Sequence, residues 1–314
     1  MITLLQIVII VFGIFLLVKG ADWMVDGATG IADLFHIPNL VIGFTIVAMG
    51  TSIPEAAVSM MGVYRKNDAL AMGNILGSNI VNILLILGIC GLIAPVMVRK
   101  NTIRFEIPFM ILVTAMFAGL SLNDGVLELH DGVYFGIAFL VYLVYIGIHA
   151  KKHEELYETK QGEEKRSLSR HVMFVTAGIV VVFLASEMIV SSAEILAKSA
   201  HMTNRLVALT ILALVTSLPE LFTSISAVKK KKNDIVIGNI IGSNIFNILF
   251  VCGVSTAIRP VMVSKDFVED IIVALVAAIA LFIVVIPKKK LNYISSVMLL
   301  LGYVVYAVCR SAGL

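Results

Sequence analysis

Two short segments of the chain each end in a glutamate that lies inside a long apolar run. The segments are GTSIPE (50–55) and VTSLPE (215–220), so the two acids are Glu55 and Glu220. A charged side chain at the centre of a bilayer costs about 2.5–3.5 kcal/mol, and the sequence places no Lys or Arg at a similar depth. A bound cation or proton is the remaining partner, and two carboxylates balance one divalent ion. The two glutamates therefore predict a cation site.

The residues that precede each glutamate add neutral oxygens on the same helical face. The spacing i, i+3, i+4 and i+7 puts four residues on one face of a helix in each segment: Ala48, Thr51, Ser52 and Glu55, and again Ala213, Thr216, Ser217 and Glu220. Pro54 and Pro219 precede the glutamates, and a proline inside a helix removes the hydrogen bond to the carbonyl four residues earlier. We expect a kink at each proline and free carbonyls that point toward the site. Carboxylate, hydroxyl and carbonyl oxygens are the ligands that hard cations prefer.

A second polar stripe follows each glutamate segment. Its members are spaced i, i+4 and i+8: Asn74, Ser78 and Asn82 in the first copy, and Asn239, Ser243 and Asn247 in the second. Such a stripe on an apolar helix predicts a face turned to the interior of a helix bundle, where it supplies uncharged oxygens. Hydrogen bonding between helices is the alternative role of the amides. The glycines of GNILG (73–77) and GNIIG (238–242) allow neighbouring helices to approach closely.

These segments belong to an internal repeat with an offset of 165 residues. GNILGSNIVNIL (73–84) aligns without gaps with GNIIGSNIFNIL (238–249), and Asp22 aligns with Glu187. The polar residues are among the best preserved between the copies, which duplication for packing alone does not explain. Asp22 and Glu187 are candidate gating or structural groups.

The elements that carry these residues are predicted to be membrane helices. The chain has 314 residues, of which 59% are hydrophobic and 14% charged, and its mean hydropathy is +1.00. A soluble domain of this length cannot bury so much apolar side chain. Short basic clusters between apolar runs are typical of topology signals and do not indicate nucleic-acid binding. Ten runs are long enough to cross a bilayer: 2–20, 38–64, 69–93, 103–121, 132–150, 170–197, 204–228, 234–257, 267–287 and 291–311.

One long polar segment, 151–169, divides the ten runs into two groups of five. Because five is odd, the second copy is expected to cross the membrane in the opposite sense to the first. The sequence thus predicts an all-α polytopic membrane protein with two inverted-topology five-helix repeats, 1–150 and 170–314, and a site near mid-membrane. Lys and Arg concentrate in the loops on the side of 151–169. This bias predicts a cytoplasmic connector, both termini outside, and an inner-membrane location.

The paired motifs resemble those of the sodium/calcium exchanger family, within the calcium:cation antiporter superfamily. The resemblance rests on GTSIPE and GSNIVN (77–82) in the first half and on VTSLPE and GSNIFN (242–247) in the second, and it extends over the whole chain. It implies a central cluster of cation sites that calcium and sodium share, in a single functional chain without a cofactor. By matching positions, it implies that the ligands are the carboxylates of Glu55 and Glu220, the side chains of Thr51, Ser52, Thr216, Ser217, Ser78 and Ser243, and the carbonyls of Ala48 and Ala213, with Asn82 and Asn247 in the remaining central positions.

Two departures from the family pattern narrow this expectation. Potassium-dependent relatives resemble a more acidic pattern at the positions of Asn82 and Asn247, so asparagine at both argues against potassium co-transport. Large animal relatives insert a calcium-sensing domain between the repeats, whereas this chain has only the loop 151–169. Calcium regulation of that type is therefore expected to be absent.

Two other functions remain open on the sequence alone. A calcium/proton antiporter would use the same glutamates as proton carriers, and a passive cation channel would also need carboxylates in its pore. Hydroxyl and amide oxygens favour sodium over protons. Internal symmetry favours an antiporter, because channels usually gain symmetry by oligomerising. The sequence shows no Ser/His pair, paired aspartates or zinc ligands at membrane depth, so we do not expect an enzyme.

Overall fold

The computed structural model describes residues 2–154, 168–199 and 213–312, and nearly all of them are helical. The helices of the first half are α1 (Ile2–Leu34), α2 (Asn39–Thr51), α3 (Ile53–Tyr64), α4 (Asp68–Ile93), α5 (Thr102–Asp124) and α6 (Leu129–Glu154). Those of the second half are α7 (Leu168–Ser199), α8 (Ala213–Thr216), α9 (Leu218–Lys229), α10 (Asn233–Ile258), α11 (Lys265–Val285) and α12 (Tyr293–Ala312). The connections hold four strands of two residues: β1 (Val96–Met97), β2 (Val126–Leu127), β3 (Val261–Met262) and β4 (Lys290–Leu291).

The chain is a polytopic, mostly helical membrane protein. Within the described residues, eight helices are long and apolar enough to cross a membrane, or nine if the bent pair α2–α3 is one span. The predicted run 204–228 begins outside the described residues, and most of the connector 151–169 also lies outside them. Helix α1 extends to Leu34, well past its predicted end near residue 20. Its polar residues Asp22 and Asp26 do not end the helix, and both lie within ion-pair distance of Lys230, which directly follows α9.

Both predicted proline positions interrupt a helix. A bend of 48° separates α2 from α3 at Ser52, whose φ and ψ are −84° and 10°. Ser217 separates α8 from α9 with nearly the same angles, −84° and 5°. Each proline lies in the first turn of the new helix, where its missing N–H costs no hydrogen bond. The breaks thus place two helix N-termini inside the protein.

Helices α4 and α10 form the centre of the bundle, whereas few residues of α6 and α12 are buried. Helix α10 crosses α2 at close range. A Cβ atom on Gly238 would lie 2.8 Å from the Cα of Gly43, and one on Gly242 would lie 2.8 Å from the Cβ of Ala48. The prediction that Gly238 and Gly242 permit close packing is confirmed. Outside this core, the long helices α1 and α7 pack along each other.

In the described residues, each strand of the first half pairs with a strand of the second half. Strand β1 pairs antiparallel with β4, with Val96 opposite Leu291, and β2 pairs antiparallel with β3, with Val126 opposite Met262. Helix α5 connects β1 to β2 and is long enough to cross a membrane. The two sheets therefore lie at opposite ends of the bundle, which we call the β1–β4 face and the β2–β3 face.

A bidentate arginine–aspartate pair joins the halves at each face. At the β1–β4 face Arg99 binds Asp234, which lies in the first turn of α10. At the β2–β3 face Arg259 binds Asp68, which lies in the first turn of α4. Both ends of the central helices are thereby attached to the opposite half of the chain.

Candidate cation site

The two predicted glutamates are buried at the interrupted helices. Glu55 is 1% exposed and Glu220 is 0% exposed, and each lies in the first turn of a helix, α3 or α9. A helix N-terminus carries a partial positive charge and unpaired N–H groups, so it favours a carboxylate. The proline break creates this N-terminus and thus lowers the cost of burying each acid.

Each glutamate is held by the serine at the break of the other half. Ser52 donates a 2.8 Å hydrogen bond from Oγ to Oε1 of Glu220, and Ser217 donates a 3.3 Å bond to Oε1 of Glu55. Ser243 adds a long contact to the same side of the site, with its Oγ 3.5 Å from Oε1 of Glu220. The two glutamate segments, far apart in the sequence, therefore form one site.

Asn74 and Asn239 connect the two halves behind the glutamates. Thr216 donates to Oδ1 of Asn74 at 3.0 Å, and Thr51 donates to Oδ1 of Asn239 at 3.1 Å. The amide nitrogens of both asparagines donate to residues that precede them in the same half of the chain. Nδ2 of Asn74 reaches the carbonyl of Glu55 at 3.0 Å and Ser59 at 2.9 Å, and Asn239 repeats this with Glu220 and Ser224. For these two amides, the alternative of helix–helix hydrogen bonding is confirmed.

Asn79 and Asn244 contribute to the site although the sequence analysis did not single them out. Nδ2 of Asn79 donates to the carbonyl of Asn244 at 3.3 Å, and Nδ2 of Asn244 donates to the carbonyl of Asn79 at 3.2 Å. Oδ1 of Asn244 accepts from Asn82 at 3.0 Å, and Oδ1 of Asn79 accepts from Asn247 at 3.3 Å. The signal was present in the sequence, because both residues are identical in GSNIVN and GSNIFN, but they lie off the i, i+4, i+8 stripe.

The remaining predicted ligands are close to the site but not equivalent between the halves. The carbonyl of Ala48 accepts from Thr51 at 3.2 Å and lies 3.4 Å from Oγ of Ser243. Ser78 instead donates to the carbonyl of Asn74 in its own helix. Ala213 begins α8, next to residues outside the described range.

Four buried oxygens at this interface have no hydrogen-bond partner among the described residues: Oε2 of Glu55, Oε2 of Glu220, Oδ1 of Asn82 and Oδ1 of Asn247. They form two pairs related by the repeat. In the described part of the chain, no other buried unpaired oxygens form such a pair. An unpaired buried acceptor costs about 1–3 kcal/mol, and more when it is charged. Oxygens of this kind are the ligands that a hard cation prefers.

The donor set favours a hard cation over a transition metal. It contains carboxylate, hydroxyl, amide and carbonyl oxygens, and no group of three His, Cys, Asp or Glu side chains occurs within the described ranges. Neither glutamate forms an ion pair with a described residue, so no described lysine or arginine neutralises the pair. Oxygen ligands of this kind suit hard cations such as calcium.

Other acids are also buried, which the sequence analysis did not anticipate. Asp270 accepts from Tyr306 and pairs with Arg310. Glu106 accepts a 2.8 Å bond from Tyr145, and its second oxygen is unpaired. These acids lie near the starts of α11 and α5, away from the paired glutamates.

A buried site of oxygen ligands between two similar halves of a membrane helix bundle is typical of a membrane protein that binds cations. A model of the family described as "Sodium/calcium exchanger protein" matches residues 5–147 and 170–312. The chain belongs to this family and is a membrane antiporter.

Individual relatives agree with this assignment. The chain is 37% identical to the inner membrane protein YrbG of Escherichia coli over 88% of both chains, and 37% identical to the putative antiporter CaxA of Alkalimonas amylolytica over 96% of this chain and 98% of that relative. It is 25% identical to the sodium/calcium exchanger MaX1 of Methanosarcina acetivorans over 96% and 97%. A solved structure of the sodium-calcium exchanger NCX_Mj superposes with a TM-score of 0.84 at 27% identity, covering 98% of this chain and 99% of that chain.

Proposed function

We propose that this protein exchanges calcium for sodium across the inner membrane by alternating access, with both ions competing for one site around Glu55 and Glu220. The observation that carries the proposal is the set of four unpaired, repeat-related oxygens at the interface of the halves. MaX1 and NCX_Mj, to which the chain is similar, are named as sodium/calcium exchangers. Calcium and sodium are therefore the substrates we assign to the site.

The architecture that we propose is ten membrane helices in two inverted repeats, 1–150 and 170–314, joined by the connector 151–169. The strand pairing supports it. Strand β1 follows α4, and its repeat equivalent β3 follows α10, yet the two strands lie at opposite faces. The two separate matches of the family model support the same division.

The orientation that we propose puts the β1–β4 face in the cytoplasm. The basic clusters Lys229 to Lys232 and Lys288 to Lys290 are adjacent to this face, and positive loops are retained on the cytoplasmic side. The connector would be cytoplasmic too, and the Ile2 end of α1 and the Ala312 end of α12 would be outside.

The ligand set that we propose starts from the two glutamates. Glu55 and Glu220 supply two negative charges, which balance one calcium ion. Removing either charge would leave a divalent ion underneutralised where the dielectric constant is low. The oxygens of Asn82 and Asn247 would complete the central positions. The outer positions would be filled by Thr51, Ser52, Thr216, Ser217, Ser78 and Ser243 with the carbonyls of Ala48 and Ala213.

Exchange follows from competition for these oxygens. Several sodium ions can distribute over the carboxylates, hydroxyls and carbonyls, but not while calcium occupies the same atoms. The empty site carries two uncompensated charges, and its passage through the low-dielectric interior is unfavourable. Only the calcium-bound and the sodium-bound protein then switch between opening to one side of the membrane and opening to the other. Calcium therefore moves in one direction while sodium moves in the opposite direction.

The test is calcium uptake into proteoliposomes under sodium, proton and potassium gradients imposed one at a time. We expect an outward sodium gradient to drive uptake, and the potassium gradient to have no effect. Uptake that follows the proton gradient and ignores sodium would replace the proposal with calcium/proton exchange. Calcium flux that needs no counter-ion would indicate a channel.

A further inference from the structure

An ion-pair cluster ties the two halves together at the β1–β4 face. Lys230, directly after α9, lies with Nζ 2.8 Å from Oδ1 of Asp26 and 3.5 Å from Oδ1 of Asp22, and it donates a 3.0 Å bond to the carbonyl of Asp22. Ser226 of α9 donates a 2.5 Å bond to Oδ1 of Asp22. Helices α1 and α9 pack together along this region. The cluster therefore closes the bundle between α1 and α9.

The repeat offset maps the centre of this cluster onto a second pair of opposite charges. Asp22 corresponds to Glu187 of α7, and Lys230 corresponds to Arg65, directly after α3. The sign of each charge is kept although the residue types differ. The flanking residues Asp26 and Ser226 correspond to Ser191 and Met61, so the charge is retained only at the two central positions.

The second pair is not formed in this structure. Arg65 and Glu187 are both exposed, and no ion pair joins these two described residues. In the described part of the chain, α7 does not pack against α3 to the extent that α1 packs against α9.

The two pairs belong to opposite faces. Arg259 of the β2–β3 face donates to the carbonyl of Val63, two residues before Arg65. Gly20 of α1, close to Asp22, packs at Val182 of α7. Glu187 lies five residues further along α7 and is thus displaced from Asp22 toward the β2–β3 face. The ion pair between α1 and the end of α9 is thus formed at the β1–β4 face. The equivalent pair, between α7 and the end of α3, is not formed at the β2–β3 face.

We propose that Arg65 and Glu187 are positioning residues of the transport cycle, which pair to close the β2–β3 face when the Lys230–aspartate cluster opens. The inference rests on the alternating access of the proposed function. In an inverted repeat, the halves exchange conformations when the open side changes, so a contact made by one half at one face is replaced by its equivalent at the other. Partly exposed ion pairs are weak, and a gate that opens in every cycle requires this weakness.

The first test measures proximity and needs no transport. In a full-length chain whose Cys90, Cys252 and Cys309 are replaced by alanine, the pairs Arg65→Cys with Glu187→Cys and Asp22→Cys with Lys230→Cys are treated with a short bifunctional thiol reagent in membranes. We expect both pairs to cross-link. Adding Lys230→Glu, which repels Asp22, should raise the rate of the Arg65–Glu187 cross-link at least threefold. The neighbouring combination Lys66→Cys with Glu187→Cys is the matched control.

The proposal is overturned if the Arg65–Glu187 pair cross-links no faster than the control, both with and without Lys230→Glu. If the cross-links behave as expected but the wild type shows no sodium-driven calcium uptake, the gate stands and the proposed ion coupling fails.

The second test measures charge pairing during transport. Arg65→Glu and Glu187→Arg should each slow calcium exchange in proteoliposomes at least threefold, and the double swap should recover most of the loss. A double swap as slow as the slower single variant would contradict ion pairing between these residues.

Discussion

Ser52 and Glu220 are hydrogen bonded at 2.8 Å although 168 positions separate them in the chain, and Ser217 repeats the bond to Glu55. Each serine is also the residue at which its own helix is interrupted. The break at Ser52 creates the helix N-terminus that carries Glu55, and the side chain of Ser52 binds Glu220 of the other half. The break at Ser217 does the same with the two glutamates exchanged. The site thus depends on both interruptions at once.

The first prediction concerns the two carboxylates. Breaking a buried charge pair costs about 3–5 kcal/mol, so Glu55→Gln and Glu220→Gln should each lower calcium flux more than about a hundredfold. Flux into proteoliposomes is measured on variants shown to be folded by size-exclusion chromatography. Glu106→Gln, a buried glutamate outside the site, is the matched control and should keep transport. Wild-type flux in either site variant would show that the motif is structural.

The second prediction concerns the serines at the breaks. Hydrogen bonds to charged groups contribute about 1.5–3 kcal/mol, so Ser52→Ala should raise the calcium concentration for half-maximal flux about tenfold. Ser217→Ala should have a smaller effect, because its bond is longer, at 3.3 Å against 2.8 Å. Ser186→Ala removes a buried serine elsewhere and serves as the control. The reverse order of the two effects would contradict this account.

The third prediction concerns the charge of the central positions. Asn82→Asp or Asn247→Asp adds a third negative charge beside the two glutamates, and an additional proton or monovalent cation is then needed to neutralise the site. We expect calcium flux in each variant to acquire a new dependence on pH or on potassium. Flux profiles measured against pH and potassium concentration test this. Unchanged profiles in both variants would place these residues outside the site.

The fourth prediction concerns the asparagines that the sequence analysis missed. Asn79→Ala or Asn244→Ala each removes two hydrogen bonds to buried groups of the opposite half, at a cost of about 0.5–1.5 kcal/mol per bond. The midpoint of thermal unfolding in detergent should fall by several degrees, whereas the exposed Asn101→Ala should leave it unchanged. A midpoint equal to that of the wild type would mean that these bonds do not stabilise the interface.

The fifth prediction concerns orientation. Single cysteines at Lys160, in the connector, and at Ser311, near the end of α12, are introduced into the cysteine-free chain. A membrane-impermeant thiol reagent should label Ser311→Cys from outside and Lys160→Cys only after the membrane is opened. Labelling of both from the same side would contradict the topology and the inverted repeat.

Much of the fold and the glutamate pair could be predicted, because their signals are local or repeated. Apolar length indicated the helices, proline indicated the breaks at Ser52 and Ser217, and the offset of 165 residues indicated which segments correspond. The extent of α1 could not be read from polarity, since Asp22 and Asp26 depend on Lys230, a partner far along the chain.

The partners of the polar side chains were less predictable. The i, i+4, i+8 stripe grouped Asn74 with Asn82, yet Asn74 binds Ser59 and Thr216, and Asn82 binds Asn244. Val81–Ile86 is π-helical, so a side-chain register based on 3.6 residues per turn does not hold through this segment. Only the packing of α4 against α10 brings Asn79 to Asn244.

The reciprocal bonds of the site have the pattern of a two-fold dimer interface. In such an interface, residue i of one subunit contacts residue j of the other, and residue j of the first contacts residue i of the second. Asn79 with Asn244 is the simplest case, since each amide binds the backbone of its own counterpart. In a true dimer every substitution appears twice, on both sides of the axis. Fusion of the two copies into one chain removes that restriction, so the first copy holds aspartate and arginine where the second holds glutamate and lysine, and the two sides of the membrane are free to diverge.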